Sequence, residues 1–403
     1  MKVVVAHHYW ARPGGGEIVS SATVQAFKEC GYEVSIVSLT KFNPEKYIDW
    51  FGIDIRDLPI YSLPIEKLRM FGIYMRLLYW IPLRKAIKVE KPNLVWTDND
   101  TYKPILKLKR KLNFKIVEYI HYPFSVLWQD KFRDTPLHWS KDPYFKERYG
   151  KFPMNIYFNV WLKLHKRMVR DNPFTCAELV FANSKWTAKL VEDLYEDKPI
   201  VLNPPIPPAT EIVSNPKPFE ERKNIVIMIG RYSGEKRYEW VIRNIAPKLE
   251  KHGVELMIVG GTGTKISWRY YNYLSNLVNK LGLNNVYLIA NASRDDINKL
   301  LDTSKVLLHA TINEHWGVVV TEAMARGVPV VVHKSGGAWT DAVEEGNYGL
   351  GYETDEECIE QILKVIHDRK LWQYYSQKGL LKAKELTYEK YKEKLINYVE
   401  KIL

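Results

Sequence analysis

Short runs rich in valine and isoleucine alternate with longer amphipathic stretches, and the pattern is run through twice. The first set is Val3–Ala6, Val34–Leu39, Leu94–Thr97, Ile116–Ile120 and Leu179–Ala182. The second is Ile225–Ile229, Leu256–Val259, Val286–Ile289, Val306–His309 and Val328–Val332. Polar residues, glycine or proline bound each run, so each is predicted to be a buried strand. Helical patterns fill the gaps: Glu17–Glu29 ends at Gly31, Ile266–Leu281 ends at Gly282, and Ser293–Asp296 reads as a capping box. Strands that are apolar throughout, separated by helices, imply parallel sheets covered on both faces. The predicted fold class is therefore α/β, with two Rossmann-like doubly wound domains.

The two sets meet at Asn203-Pro204-Pro205-Ile206-Pro207-Pro208, a stretch that continues neither a helix nor a central strand. The expected domains are 1–203 and 204–385, followed by 386–403. That last piece holds an amphipathic helix with Tyr391, Leu395, Tyr398, Val399 and Ile402 at helical spacing. A length of 403 residues suits two domains. The run Met1–Ala6 stops at His7-His8, which reads as a first strand and not a signal peptide. Cys30, Cys176 and Cys358 lack metal-ligand spacing and point to a reducing compartment, so a cytoplasmic location is expected.

The net charge of +12 favours an anionic partner: nucleic acid, a membrane surface or a phosphorylated substrate. Basic residues cluster at Lys103–Lys115 and at Lys163–Arg170. Ile65–Lys88 mixes apolar, aromatic and basic residues. It reads equally as an interfacial membrane segment or as a core helix with basic flanks.

Doubly wound domains bind ligands at the carboxyl ends of their strands, so motifs there carry weight. After Val306–His309 comes Glu314-His315-Trp316-Gly317-Val318, then a helix through Glu322 that stops at Gly327. Gly317 lets a ligand approach the backbone, and the first helical N–H groups suit a diphosphate. Glu314 and Glu322 would repel phosphate, so they are read as anchors for neutral hydroxyl groups of a sugar. After Ile225–Ile229 comes Gly230-Arg231-Tyr232-Ser233-Gly234-Glu235-Lys236, where Arg231 and Lys236 suit a departing diphosphate. Gly14-Gly15-Gly16 lies between first strand and first helix and exposes backbone N–H groups to an oxyanion. It matches neither a dinucleotide fingerprint nor a P-loop. His121, in His121-Tyr122-Pro123, stands at a strand end as a hydrogen-bond donor or proton shuttle. Asp98-Asn99-Asp100 has the form of a metal-holding Asp-x-Asp, but without a supporting cluster it reads as a loop or helix cap, and no metal is inferred.

Together these residues resemble the retaining glycosyltransferases of family 4, which have the GT-B fold: two Rossmann-like domains facing across a cleft. His121-Tyr122-Pro123, Asn183-Ser184-Lys185-Trp186-Thr187 and Glu314-His315-Trp316-Gly317 are similar, more narrowly, to the mannosyltransferases that extend dolichol-linked oligosaccharides from GDP-mannose. The resemblance implies an acceptor-binding N-terminal domain and a C-terminal domain that binds the nucleotide-sugar, with the last helix crossing back to the first. It implies that Glu322 holds the ribose, that Glu314, Gly317 and Val318 meet the donor sugar, and that Arg231 and Lys236 neutralise the diphosphate beside Gly230. Gly14, Gly15 and Gly16 would close over the diphosphate, and His121 would lie beside the donor sugar. Implied partners are a nucleotide-diphosphate sugar and a glycan acceptor, carried on a polyprenyl or dolichyl diphosphate in the narrower group, with no cofactor and no metal.

The narrower group's eukaryotic enzymes carry an N-terminal membrane anchor, which this chain is read as lacking. Peripheral docking on an anionic cytoplasmic membrane face would then fall to Ile65–Lys88 and the basic clusters. Two other readings stand beside this one: a UDP-sugar transferase acting on a soluble acceptor or polysaccharide, and a non-catalytic nucleotide- or nucleic-acid-binding protein. Paired carboxylates at an anion site disfavour the last, and no nucleic-acid partner is expected.

Overall fold

A computed structural model describes residues 1–65 and 72–403. It divides into two compact units: Met1–Pro205 with Tyr388–Leu403, and Ile206–Thr387.

The first unit holds a seven-stranded sheet of β1 (Lys2–Ala6), β2 (Glu33–Val37), β3 (Ile60–Tyr61), β4 (Leu94–Thr97), β5 (Lys115–Ile120), β6 (Leu179–Ala182) and β7 (Ile200–Val201). The spatial order is β3-β2-β1-β4-β5-β6-β7, and every pairing is parallel. The order reverses between β1 and β4, where Val4 stands beside both Ser35 and Val95. β3 and β7 escape the sequence pattern because two residues are too few to display a period. The Tyr388–Val399 helix packs on the Gly15–Glu29 helix of this unit. Tyr391 Oη and Thr23 Oγ1 are 2.7 Å apart, and Tyr388 and Lys392 both donate to Glu29.

The second unit repeats the plan with β8 (Lys223–Ile229), β9 (Glu255–Gly260), β10 (Val286–Ala290), β11 (Ser304–His309), β12 (Val330–His333) and β13 (Leu350–Tyr352). Their order is β10-β9-β8-β11-β12-β13, again parallel throughout, reversing between β8 and β11. Alternate residues serve opposite helical layers. Val226, Met228, Val306 and Leu308 enter one core, while Ile227 and Leu307 enter the other. A period of two buried on both faces is what makes these strands apolar throughout. β12 begins two residues later than the sequence suggests. Gly327 is left-handed at φ +66°, and Val328 N–H bonds back to Ala323, so Val328 still closes the preceding helix.

Ile65–Lys88 is answered in part. Residues 66–71, with Leu68, Met70 and Phe71, lie outside the described residues. The remainder forms the helices Gly72–Arg76 and Trp80–Glu90; Tyr79 ahead of the second, and its Leu83, Ala86 and Ile87, pack against Val4, Val37 and Val95 in the core. The Lys103–Leu112 helix carries its basic residues on a solvated face, with Lys109 paired to Glu178 at 2.8 Å.

Candidate functional site

In the Ile206–Thr387 unit, residues converge at the carboxyl ends of β8 and β11, the two strands flanking the reversal of order. A crevice opens at such a point in doubly wound sheets, because the helices on either side leave in opposite directions. Lys236, in a short turn after β8, donates from Nζ to Glu314 Oε2 at 2.7 Å. His309, the last residue of β11, places Nε2 3.2 Å from the same oxygen. Gly230 makes room for this: a Cβ there would stand 2.9 Å from Tyr238 Oη and 3.3 Å from Lys236 Cε. The loop bearing Glu314 is fixed by its backbone. Asn313 N–H bonds to Ser335 Oγ at 2.8 Å, and Gly337 N–H to Glu314 O at 2.7 Å. Gly336, at φ +72°, permits the close approach, since a Cβ there would lie 2.2 Å from Glu314 O.

Burial alone would raise the Glu314 carboxyl, but the Lys236 charge and the His309 hydrogen bond outweigh it and hold it well below the usual carboxylate range. Burial pushes His309 down despite the carboxylate, so its imidazole is neutral and donates Nε2–H to Glu314. Gly317 caps the Val318–Ala325 helix in a left-handed conformation, φ +83°, with Val318 half-buried behind it. Arg231 stands apart. Its side chain is 72% exposed and its guanidinium lies 3.5 Å from Glu235.

Glu322 is buried inside that helix. Its Oε1 accepts from Thr210 Oγ1 at 3.2 Å and lies 2.8 Å from Arg294 Nη1. Among the described residues both partners meet one oxygen, which leaves Oε2 for a hydroxyl donor. Arg294 opens the Arg294–Thr303 helix, where Ser293 Oγ accepts from Asp296 N–H as the capping pattern predicts.

The N-terminal unit gathers a second cluster, at the ends of β1, β4 and β5. Asp98 is at its centre. Its Oδ2 accepts from His7 Nδ1 at 2.5 Å, His121 Nε2 at 3.0 Å and Ser20 Oγ at 3.3 Å. Burial disfavours a charged His7, but the attraction and hydrogen bond of Asp98 win and push its pKa up to about 10. The Gly15–Glu29 helix begins over this cluster, with Gly14 at its N-cap and Gly15 its first residue. A Cβ on Gly16 would lie 3.0 Å from His7 Cε1 and 3.6 Å from His121 Nε2. Gly16 therefore brings the backbone down onto the two imidazoles. His7, His8 and Asp98 each bring a potential metal-ligand atom within 4.8 Å of the others.

Asp98-Asn99-Asp100 lies in the loop after β4, as expected, but its two carboxylates are engaged and partly or fully buried. Asp98 binds the histidines, and Asp100 faces Arg170 at 3.1 Å. Sequence reasoning weighed Asp98 only as a metal ligand and set it aside, and it did not pick out His7, His309, Arg294 or Gly336 as site residues. His7 and Asp98 could have been found by noting that both directly follow strands beside the reversal of order. Arg294 carried no signal beyond its charge.

Residues 13–209 match the profile described as Glycosyltransferase Family 4, and residues 209–382 the profile Glycosyl transferases group 1. Among curated proteins, the chain is 24% identical over 267 residues to a GDP-Man:Man(3)GlcNAc(2)-PP-Dol alpha-1,2-mannosyltransferase of Dictyostelium discoideum, covering 62% of this chain and 51% of that one. The human protein of the same description is 29% identical over 206 residues, covering 48% and 42%. The chain thus spans about half the length of these two relatives, or less. Among solved structures, sucrose-phosphate synthase from Thermosynechococcus elongatus aligns with a TM-score of 0.71 at 13% identity, covering 100% and 98% of the two chains. Anabaena HepE in complex with UDP-glucose aligns at 0.68 and 17%, covering 100% of both. At such identities these structures speak for the fold alone.

Proposed function

We propose, for a chain that belongs to the glycosyltransferases of the GT-B fold, that it moves a hexose, mannose from GDP-mannose, onto a lipid-linked glycan with retention of anomeric configuration. The observation that carries this reading is the Lys236–Glu314–His309 constellation beside Gly317, with Glu322 held open at Oε2 nearby. Lys236 supplies a positive charge for the departing diphosphate, and the first N–H groups of the Val318–Ala325 helix add to it. Glu314 and Glu322 accept hydroxyl hydrogens, Glu314 from the sugar and Glu322 from the ribose. Arg231, exposed and loosely paired, is available to close on the diphosphate when it arrives.

The acceptor hydroxyl oxygen attacks the anomeric carbon on the face from which the diphosphate leaves. The bond between that carbon and the phosphate oxygen breaks, and the freed phosphate oxygen takes the acceptor's proton. Products are the new glycoside and the nucleoside diphosphate, so no side-chain base and no metal are required. In the N-terminal unit, Asp98 fixes the His121 ring by binding Nε2, leaving Nδ1 for a sugar hydroxyl. Gly14, Gly15 and Gly16 offer backbone N–H groups there. The lipid carrier is proposed from the acceptor in the relatives' names. Among the described residues no helix is long and apolar enough to cross a membrane.

Thermal shift with GDP-mannose, UDP-glucose and ADP-glucose tests the donor. GDP-mannose is expected to raise the melting temperature most. A shift with UDP-glucose alone would move the reading to a UDP-sugar transferase, and no shift with any of the three would end it. The product's anomeric configuration, read by NMR, tests retention.

A further inference from the structure

The Met154–Met168 helix has two apolar faces, of which the fold uses one. Phe158, Trp161 and Leu162 are buried beneath it in a cluster with Leu77, Leu127 and Tyr149. On the outer side, Ile156, Val160 and Leu164 are 55%, 45% and 40% exposed, and Phe152 and Met154 just before them are 79% and 38% exposed. Four-residue spacing aligns Ile156, Val160 and Leu164 in one stripe. An outer helical face is ordinarily polar. Here its charged members are all cations: Lys163, Lys166 and Arg167 at the C-terminal end, with Lys151 ahead of the helix. From 151 to 170 the sequence contains no Asp or Glu. None of those four cations joins an ion pair among the described residues. Along one flank, Trp128, Trp139, Arg133, Lys163 and Lys166 line a cavity of about 290 Å³. Indole rings beside cations are the side chains that favour the headgroup level of a bilayer.

We infer that this helix is the surface by which the protein docks on an anionic phospholipid bilayer, its apolar stripe entering the acyl boundary and its cations meeting the headgroup phosphates. A second copy of the chain fits this face less well, because a copy would set one all-cationic face against another. The inference rests on the lipid-linked acceptor proposed above and gives that acceptor's membrane an address on the protein. It narrows the sequence expectation to the Lys163–Arg170 cluster and adds the apolar stripe before it, while Tyr79, Leu83, Ala86 and Ile87 of Ile65–Lys88 are committed to the core.

The test is co-sedimentation of the full chain with vesicles of phosphatidylcholine alone or with about a third phosphatidylglycerol. Wild type is expected to bind the anionic vesicles about tenfold better. The triple variant Ile156→Ser, Val160→Ser, Leu164→Ser is expected to lose about tenfold of that binding, and Lys163→Glu with Arg167→Glu to abolish the preference for anionic lipid. All three chains should keep the thermal shift given by the nucleotide-sugar. The proposal is overturned if wild type ignores vesicles or if the triple variant binds as wild type does. It is also overturned if wild type is a dimer that the triple variant makes monomeric. Vesicle binding without any donor shift would defeat the proposed function and leave the surface standing. A donor shift without vesicle binding would do the reverse.

Discussion

Lys236 and Glu314 are each other's counter-ion, 2.7 Å apart and both largely shielded from water. Removing one member strands the other, which for buried pairs costs about 3 kcal/mol, whereas removing both costs much less. Lys236→Met is therefore expected to lower the urea midpoint, and the double variant with Glu314→Gln to recover most of the loss. Neither should transfer sugar if Lys236 meets the diphosphate. Measuring unfolding and turnover on the same samples separates the two roles. His7 offers a pH test. Its pKa in the folded protein, about 10, lies above the ordinary 6.5. Its contribution is thus fully present below 6.5 and is lost as pH rises through about 10. Asp98, held low by the histidines against its burial, contributes above the usual carboxylate range and loses that contribution as pH falls through its folded value. The stability gap between wild type and His7→Gln should then narrow steadily as pH rises from 6.5 to about 10. A gap that stays constant would mean that His7 is not an imidazolium.

At the scale of elements, the loop bearing Glu314 depends on its neighbour after β12. Gly336→Ala would push a methyl group to within 2.2 Å of Glu314 O at a left-handed position, a change too large for a small relaxation. The expected outcome is a displaced Glu314 and a loss of turnover of at least about tenfold, in line with the cost of misplacing a reacting group by about 1 Å. Turnover close to wild type would mean that the loop position is not critical. Most elements were legible: Leu94–Thr97 and Leu179–Ala182 run as their apolar patterns indicate, and others differ by a residue or two at their ends. Valine-rich runs buried on both faces leave little choice but a strand. Edge strands β3, β7 and β13 were not legible, because two or three residues show no period and their pairing comes from the sheet they join. The outer face of Met154–Met168 was also hidden. The sequence displays its basic cluster, but which apolar residues face outward depends on what the helix covers.

For the whole molecule, donor binding should act locally. A nucleotide that binds the native state at about a hundred times its dissociation constant stabilises that state by about 2.7 kcal/mol. Hydrogen exchange in GDP is expected to slow at 230–237 and 309–322 within the Ile206–Thr387 unit. Protection confined to 1–205 would place the nucleotide elsewhere. The sequence by itself determined the fold class, the two repeats of the doubly wound plan and the loops on which chemistry could lie. These are local properties: periodicity, proline and glycine act over a few residues. Tertiary structure alone decided which of those loops meet. Lys236 and Glu314 are 78 residues apart in the chain, and Asp98 is 91 from His7, yet each pair touches. Strand order at the reversal of each sheet brings them together, and that order is settled by the packing of the whole domain.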